Sequence, residues 1–191
     1  MTTGVGSDTV PFELVDERGP QQRDISFEPA PEEVGRVELA GIGRVTMDVR
    51  ASAGDLEEEY ILDGKVEYTA DLQCVRCLEP YPFAMVSSFA VRYRPRRPVG
   101  SIGEEEVEIS EEELEVEYYS EPSVSLRELA LEQVQLSLPM KPLCDEGCLG
   151  LCVHCGANLN RESCGCASEG VDVRWGGLRE IREQLAKKKD I

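Results

Sequence analysis

Apolar and polar residues alternate with a period of two from Ile25 to Tyr93, which predicts strands buried on one face. Arg44-Val45-Thr46-Met47-Asp48-Val49 alternates without a break. Farther on, Val66, Tyr68, Ala70 and Leu72 fall on one face, and Lys65, Glu67, Thr69, Asp71 and Gln73 on the other. By that parity Cys74 ends its strand on the apolar face. Tyr81, Phe83, Met85, Phe89, Val91 and Tyr93 share a face of a second long strand, so Cys74 to Pro80 reads as a turn between antiparallel strands. Asp63-Gly64, following Tyr60-Ile61-Leu62, predicts a two-residue hairpin, because both central positions of a type I′ turn need positive φ.

The pattern then changes. Residues 104–121 interleave Val107, Ile109, Leu114, Val116 and Tyr118 with ten glutamates and no lysine or arginine, which predicts short strands with an acidic solvent face. Ser125-Leu126-Arg127-Glu128 forms a capping box, in which the serine oxygen accepts the Glu128 amide and Glu128 reaches back. Leu126, Leu129, Ala130, Val134 and Leu138 recur at helical spacing up to Pro139, predicting a helix over 126–138 packed on the sheet. A last helix is expected from Trp175 to Lys189, with Leu178, Ile181 and Leu185 on one face and a basic end suited to the helix dipole. Residues 1–24 are polar apart from a patch between Val10 and Val15, and are expected to be a loose segment or an edge strand. The fold class expected is α+β: a mainly antiparallel sheet or partial barrel over 25–140 with one packed helix, a cysteine-rich zinc-binding segment over 141–168, and a C-terminal helix over 169–191.

Composition adds a constraint on partners. The 191 residues suit one domain of ordinary size or two small ones, and their net charge is −18. Such an excess opposes adhesion of the whole surface to membranes or nucleic acid and favours solubility or a basic partner. The acidic run at 104–121 is either a solvated face or a surface for that partner. No stretch of 18 apolar residues exists, and the N-terminus lacks the basic and apolar regions of a secretion signal, so a cytoplasmic location with reduced thiols is expected.

Eight cysteines fall in four tight pairs: Cys74 with Cys77, Cys144 with Cys148, Cys152 with Cys155, and Cys164 with Cys166. Each pair is half of a tetrahedral thiolate site, so two zinc ions with four thiolates each are expected. A turn carrying Cys-x-x-Cys aims two sulfurs at one metal, and its backbone amides can stabilise the thiolates. Joining Cys152 and Cys155 to Cys164 and Cys166 closes only a short loop and leaves Cys74 and Cys77 to meet Cys144 and Cys148. The other partition, joining Cys144 and Cys148 to Cys152 and Cys155, stays open.

Other uses of the sulfurs fit less well. Disulfides conflict with a reducing compartment. A thiol oxidoreductase would place its Cys-x-x-Cys at a helix N-terminus, and neither pair stands there. Cys148, Cys152 and Cys155 match the cluster-binding spacing of radical S-adenosylmethionine enzymes, an iron–sulfur alternative, but too little chain follows for that barrel. His154 is the sole histidine and reads as a solvent-facing filler of its knuckle rather than a ligand. No phosphate-binding glycine loop or nucleophile-elbow motif is present, so no catalytic residues, enzyme activity or small-molecule substrate are expected.

Two segments resemble one family. Tyr68 to Pro80 is similar to a first motif, a strand ending in Cys-x-Arg-Cys-Leu. Leu138 to Cys144, then Gly150-Leu151-Cys152-Val153-His154-Cys155-Gly156-Ala157-Asn158-Leu159-Asn160 and Cys164-Gly165-Cys166, is similar to a second. The family is the bacterial and plastid YceD group, the large ribosomal RNA subunit accumulation proteins. His154 departs from the small or proline-type residue expected there. The resemblance implies a non-enzymatic factor supporting accumulation of 23S ribosomal RNA, whose gene often neighbours that of a small zinc-ribbon protein of the large subunit.

Two modes of action follow. Direct contact with precursor or large-subunit RNA would use Arg76 beside the first knuckle, Arg92, Arg94, Arg96 and Arg97, and the arginines at 174, 179 and 182. An escort for a basic ribosomal protein would use the glutamates of 104–121, and accounts better for the net charge.

Overall fold

The alternation becomes a sheet. The computed structural model describes residues 8–96 and 116–166, which fall into two compact units divided between Cys148 and Leu149. The first unit carries the strands β1 (Thr9–Pro11), β2 (Gln21–Phe27), β3 (Leu39–Ile42), β4 (Val45–Ala53), β5 (Tyr60–Gln73), β6 (Pro80–Pro95), β7 (Val116–Tyr119) and β8 (Ser123–Ser125). Its helices are α1 (Phe12–Arg18), α2 (Pro31–Val34) and α3 (Leu126–Ser137).

The large sheet is open and ordered β2-β4-β5-β6-β7, with β3 pairing β5 beyond the end of β4. All pairings are antiparallel except β6 with β7. It is thus an open sheet and not a barrel. Val45, Met47, Val49 and Ala51 of β4 and Leu62, Val66, Tyr68, Ala70 and Leu72 of β5 are buried on one face. Leu126, Leu129, Ala130, Val134 and Leu138 of α3 and its C-cap join the same core. The Tyr68 hydroxyl, 3.0 Å from Ser137 Oγ, ties β5 to the end of the helix. Ser125 Oγ accepts the Glu128 amide at 3.3 Å, the first half of the expected capping box.

One expectation is corrected and another resolved between its alternatives. Asp63-Gly64 is no turn: β5 runs straight through it, with Asp63 opposite Arg50 and Gly64 opposite Val49. The glycine answers a different need. A Cβ there would collide with the Asp48 carbonyl oxygen and stand 2.9 Å from Val49 Cα. Of the two forms expected for the N-terminal segment, residues 9–24 take the edge strand and not the loose one, with β2 at the edge of the large sheet. Val10, Phe12 and Val15 are buried in β1 and α1, each burial contributing roughly 1.5–3 kcal/mol. Phe12 stacks on Tyr60 at 4.0 Å, β1 pairs with β8, and the Leu126 amide donates to Asp8 O at 2.6 Å. Residues 104–115 and the expected helix at 175–189 lie outside the described residues.

Glu59 is a buried carboxylate beside this aromatic group. Arg94 Nε donates to its Oε1 at 2.9 Å, and the amides of Asp55 and Leu56 donate to Oε2 at 3.0 and 3.4 Å. Burial opposes its charge, but Arg94 and the two amides outweigh it and hold the carboxyl below the usual range.

Candidate metal centres

Two knuckles of the same design carry the first cysteines of each site. In one, the Leu78 amide donates to Cys74 O and the Cys74 amide to Glu79 O, both at 2.9 Å. In the other, the Gly156 amide donates to Cys152 O at 2.9 Å and the Cys152 amide to Ala157 O at 2.8 Å. The residue after the second cysteine must be left-handed in both, at φ +75° for Gly156 and +59° for Leu78. Glycine adopts this freely, whereas a leucine is strained there by roughly 1–2 kcal/mol. The sequence signal for this was available, since Leu78 and Gly156 occupy equivalent places in the two motifs.

The partner cysteines arrive differently. For the first centre, the Val75 amide donates to Pro142 O at 2.9 Å, which lays the chain after α3 against the β5–β6 hairpin. Cys148 then turns back, its amide bonded to Asp145 O at 3.0 Å. Tyr81 and Leu143 pack against Cys74, Cys77 and Cys148 and shield them from water. In the second unit, Leu149 donates to Asn160 Oδ1 at 2.7 Å, Leu151 bridges Asn158, and the Leu159 amide donates to Gly150 O at 2.9 Å. The Asn-Leu-Asn string thus holds the second knuckle's loop closed.

The result is two quartets: Cys74, Cys77, Cys144 and Cys148, and Cys152, Cys155, Cys164 and Cys166, each with all sulfurs within 4.8 Å of one another. This is the partition favoured by loop closure. His154 belongs to neither quartet, and its side chain is exposed. The cysteines are free. Cys74 and Cys148 sulfurs lie 3.8 Å apart and those of Cys77 and Cys144 3.6 Å, far beyond the ~2.05 Å of a disulfide. A tetrahedral ion with arms of ~2.3 Å has ligand–ligand edges of about 3.8 Å, so the first quartet has the dimensions of a thiolate metal site. Both quartets can hold a metal ion.

Electrostatics prepare one thiolate per site. Burial opposes ionisation of Cys74, yet the amides of Cys77, Cys144 and Arg76 overcome it and bring its thiol down to about 6. The amides of Cys155 and His154, then the Cys164 thiol, do the same for Cys152, also to about 6. The last ligands go the other way. Burial and then contact with the other thiols push Cys144 up to about 12, while contact with Cys155 and then burial push Cys166 up to about 12. Four crowded sulfurs cannot all carry charge unless a cation sits among them.

Among the described residues, the arginines proposed for RNA do not form one patch. Arg76 Nη1 donates to Glu146 O at 3.0 Å and Cys148 O at 2.9 Å, clamping the first centre. Arg92 and Arg94 lie at the opposite end of the hairpin, about 40 Å away at ~3.3 Å per residue, and both face Glu59. Arg96 is exposed there, and Arg97, Arg174, Arg179 and Arg182 lie outside the described residues. Arg76→Ala is expected to speed loss of the first centre's metal to a chelator and to lower stability by about 1–2 kcal/mol. Release from the second centre should not change; equal acceleration at both centres would sink the clamp.

Comparison with known proteins decides the kinship. The family model described as "Large ribosomal RNA subunit accumulation protein YceD" matches residues 62–182, which include every one of these cysteines. The chain belongs to the YceD family. An Arabidopsis thaliana relative, "Large ribosomal RNA subunit accumulation protein YCED homolog 1, chloroplastic", is 40% identical over 58 residues, 30% of this chain and 18% of that one. An uncharacterized Mycobacterium tuberculosis protein is 29% identical over 157 residues, covering 80% of this chain and 70% of its own. The Zea mays YCED homolog 1 is 25% identical over 148 residues, 66% of this chain and 49% of that protein. The matched stretch thus spans less than half of either plant YceD protein. No solved structure matches. Among the described residues of this YceD chain, no helix is long and apolar enough to cross a membrane.

Proposed function

We propose that this YceD protein is a non-enzymatic factor that supports accumulation of large-subunit ribosomal RNA, with two zinc ions as structural staples. The observation that carries this is the family match across both cysteine quartets, together with the role for which the plant relatives are named. A non-catalytic role is supported by the ligand sets. Four thiolates fill a tetrahedral ion and leave no open position for a reacting water. Zinc suits four thiolates and brings no redox chemistry; here it would hold the hairpin and the chain after α3 in place.

The test is genetic. Deleting the gene should lower the ratio of large- to small-subunit ribosomal RNA, and a plasmid copy should restore it. An unchanged ratio in the deletion strain overturns the role.

A second reading has its own support. Arg76, Arg92 and Arg94 are engaged by protein acceptors, and the chain carries 38 acidic against 20 basic residues. Phosphate contacts are disfavoured by such a surface. Action through a basic ribosomal protein, rather than through bare RNA, fits this better.

A further inference from the structure

Where β7 starts beside β6, a groove of about 480 Å³ opens against α3. Its walls include the apolar side chains of Val91, Val116 and Leu136, and two carboxylates, Glu117 and Glu132, line it. Partial burial, then the neighbouring charge of Glu117, holds the Glu132 carboxyl above its ordinary range. A cation between them would relieve that repulsion.

Gln133 supplies an independent observation. It is 9% exposed and lines the groove, and no hydrogen bond engages its amide among the described residues. No fully enclosed side-chain nitrogen or oxygen of the described residues lacks a partner, so the Gln133 amide reaches the groove surface. An amide held in a nearly buried side chain with its hydrogen bonds unspent points to a ligand group beside it. Arg92, which also lines the groove, is directed at Glu59 at 3.8 Å.

We infer that this groove docks a lysine or arginine side chain from a basic protein segment. The aliphatic stem lies on the apolar wall, the charged head sits between Glu117 and Glu132, and the Gln133 carbonyl accepts an N–H. The net charge of −18 draws such a segment in and repels a phosphate backbone. This deepens the proposed role and rests on it for the partner's place in ribosome assembly, though not for the binding itself.

The experiment uses the full metal-loaded chain and a short fluorescein-labelled peptide alternating arginine with leucine, followed by anisotropy. Glu117→Gln/Glu132→Gln should weaken binding at least about tenfold, and Gln133→Leu about threefold, as charge-assisted contacts are lost. The charge-matched pair Glu17→Gln/Glu57→Gln, on exposed residues elsewhere, should change it less than about twofold. Equal weakening by both pairs overturns the groove in favour of diffuse charge. So does binding of a labelled single-stranded RNA that Gln133→Leu weakens, or self-association of the chain that Glu117→Gln/Glu132→Gln abolishes. A deletion strain separates the failures. If deletion lowers large-subunit RNA but the groove variant neither binds the peptide less nor lowers that RNA, the groove falls and the role stands. If deletion itself has no effect, the role falls whatever the peptide does.

Discussion

On the proposed two-ion reading, Cys74→Ser is expected to leave the chain with one metal ion instead of two, and to lower the stability of the body by about 3–5 kcal/mol. Cys74 is fully buried, so the serine hydroxyl would replace a thiolate where water cannot reach it. An ion held by its quartet would join the hairpin turn at 74–77 to the chain at 144–148. Structural zinc contributes ~10–16 kcal/mol to small modules that lack a core of their own. This body has one, so part of the loss is absorbed by a sheet that stays folded. Cys166→Ser serves as the comparison: it should also reduce the count to one ion, yet leave the body's melting temperature within about a degree of the parent, since a change of 1 kcal/mol moves Tm by only a few degrees. Native mass spectrometry gives the ion count and calorimetry the stability. Two ions retained in Cys74→Ser, or an equal drop in melting temperature for both variants, would refute the assignment of one staple to the body and one to the second unit.

Gly64→Ala should be nearly as damaging, lowering stability by about 3 kcal/mol, at the upper end of the usual range for core overpacking. The added methyl meets backbone, the Asp48 carbonyl and Val49 Cα, not the movable end of a side chain. β4 must then separate from β5 at the middle of the sheet. Urea denaturation should show a lower midpoint with an unchanged slope. A loss below about 1 kcal/mol would mean the strands yield locally and the close approach is not required.

The two cases mark where sequence was sufficient. The quartets were legible because ligand spacing is a local property: loop closure alone favoured pairing Cys152 and Cys155 with Cys164 and Cys166. The strand parity from Val66 to Cys74 was legible for the same reason, and all of its apolar members are buried. Asp63-Gly64 misled because the dipeptide signals a backbone angle, whereas the glycine serves the approach of a neighbouring strand. That strand is set by register, and no window of sequence contains it. The segment from Thr9 to Arg18 is too short to show a period, and what orders it is β8 and the Tyr60 ring. Glu59 resembled its exposed neighbours Glu57 and Glu58 until Arg94 was brought beside it. Gln133 is hidden within an ordinary amphipathic helix, where an amide near the apolar stripe carries no mark of being unsatisfied.

The pairing of β1 with β8 bears on how the chain is made. Thr9 to Pro11 leave the ribosome early, but Ser123 to Ser125 and the Leu126 amide that complete them emerge only after the whole sheet has been synthesised. Until then Val10, Phe12 and Val15 have no cover from that side, and their apolar surface is open to chaperones and to other nascent chains. Contacts so distant in sequence close slowly. The chain is thus finished late in its own translation, and one interrupted before residue 123 would present an unpaired N-terminal strand to the proteases that clear unfinished products.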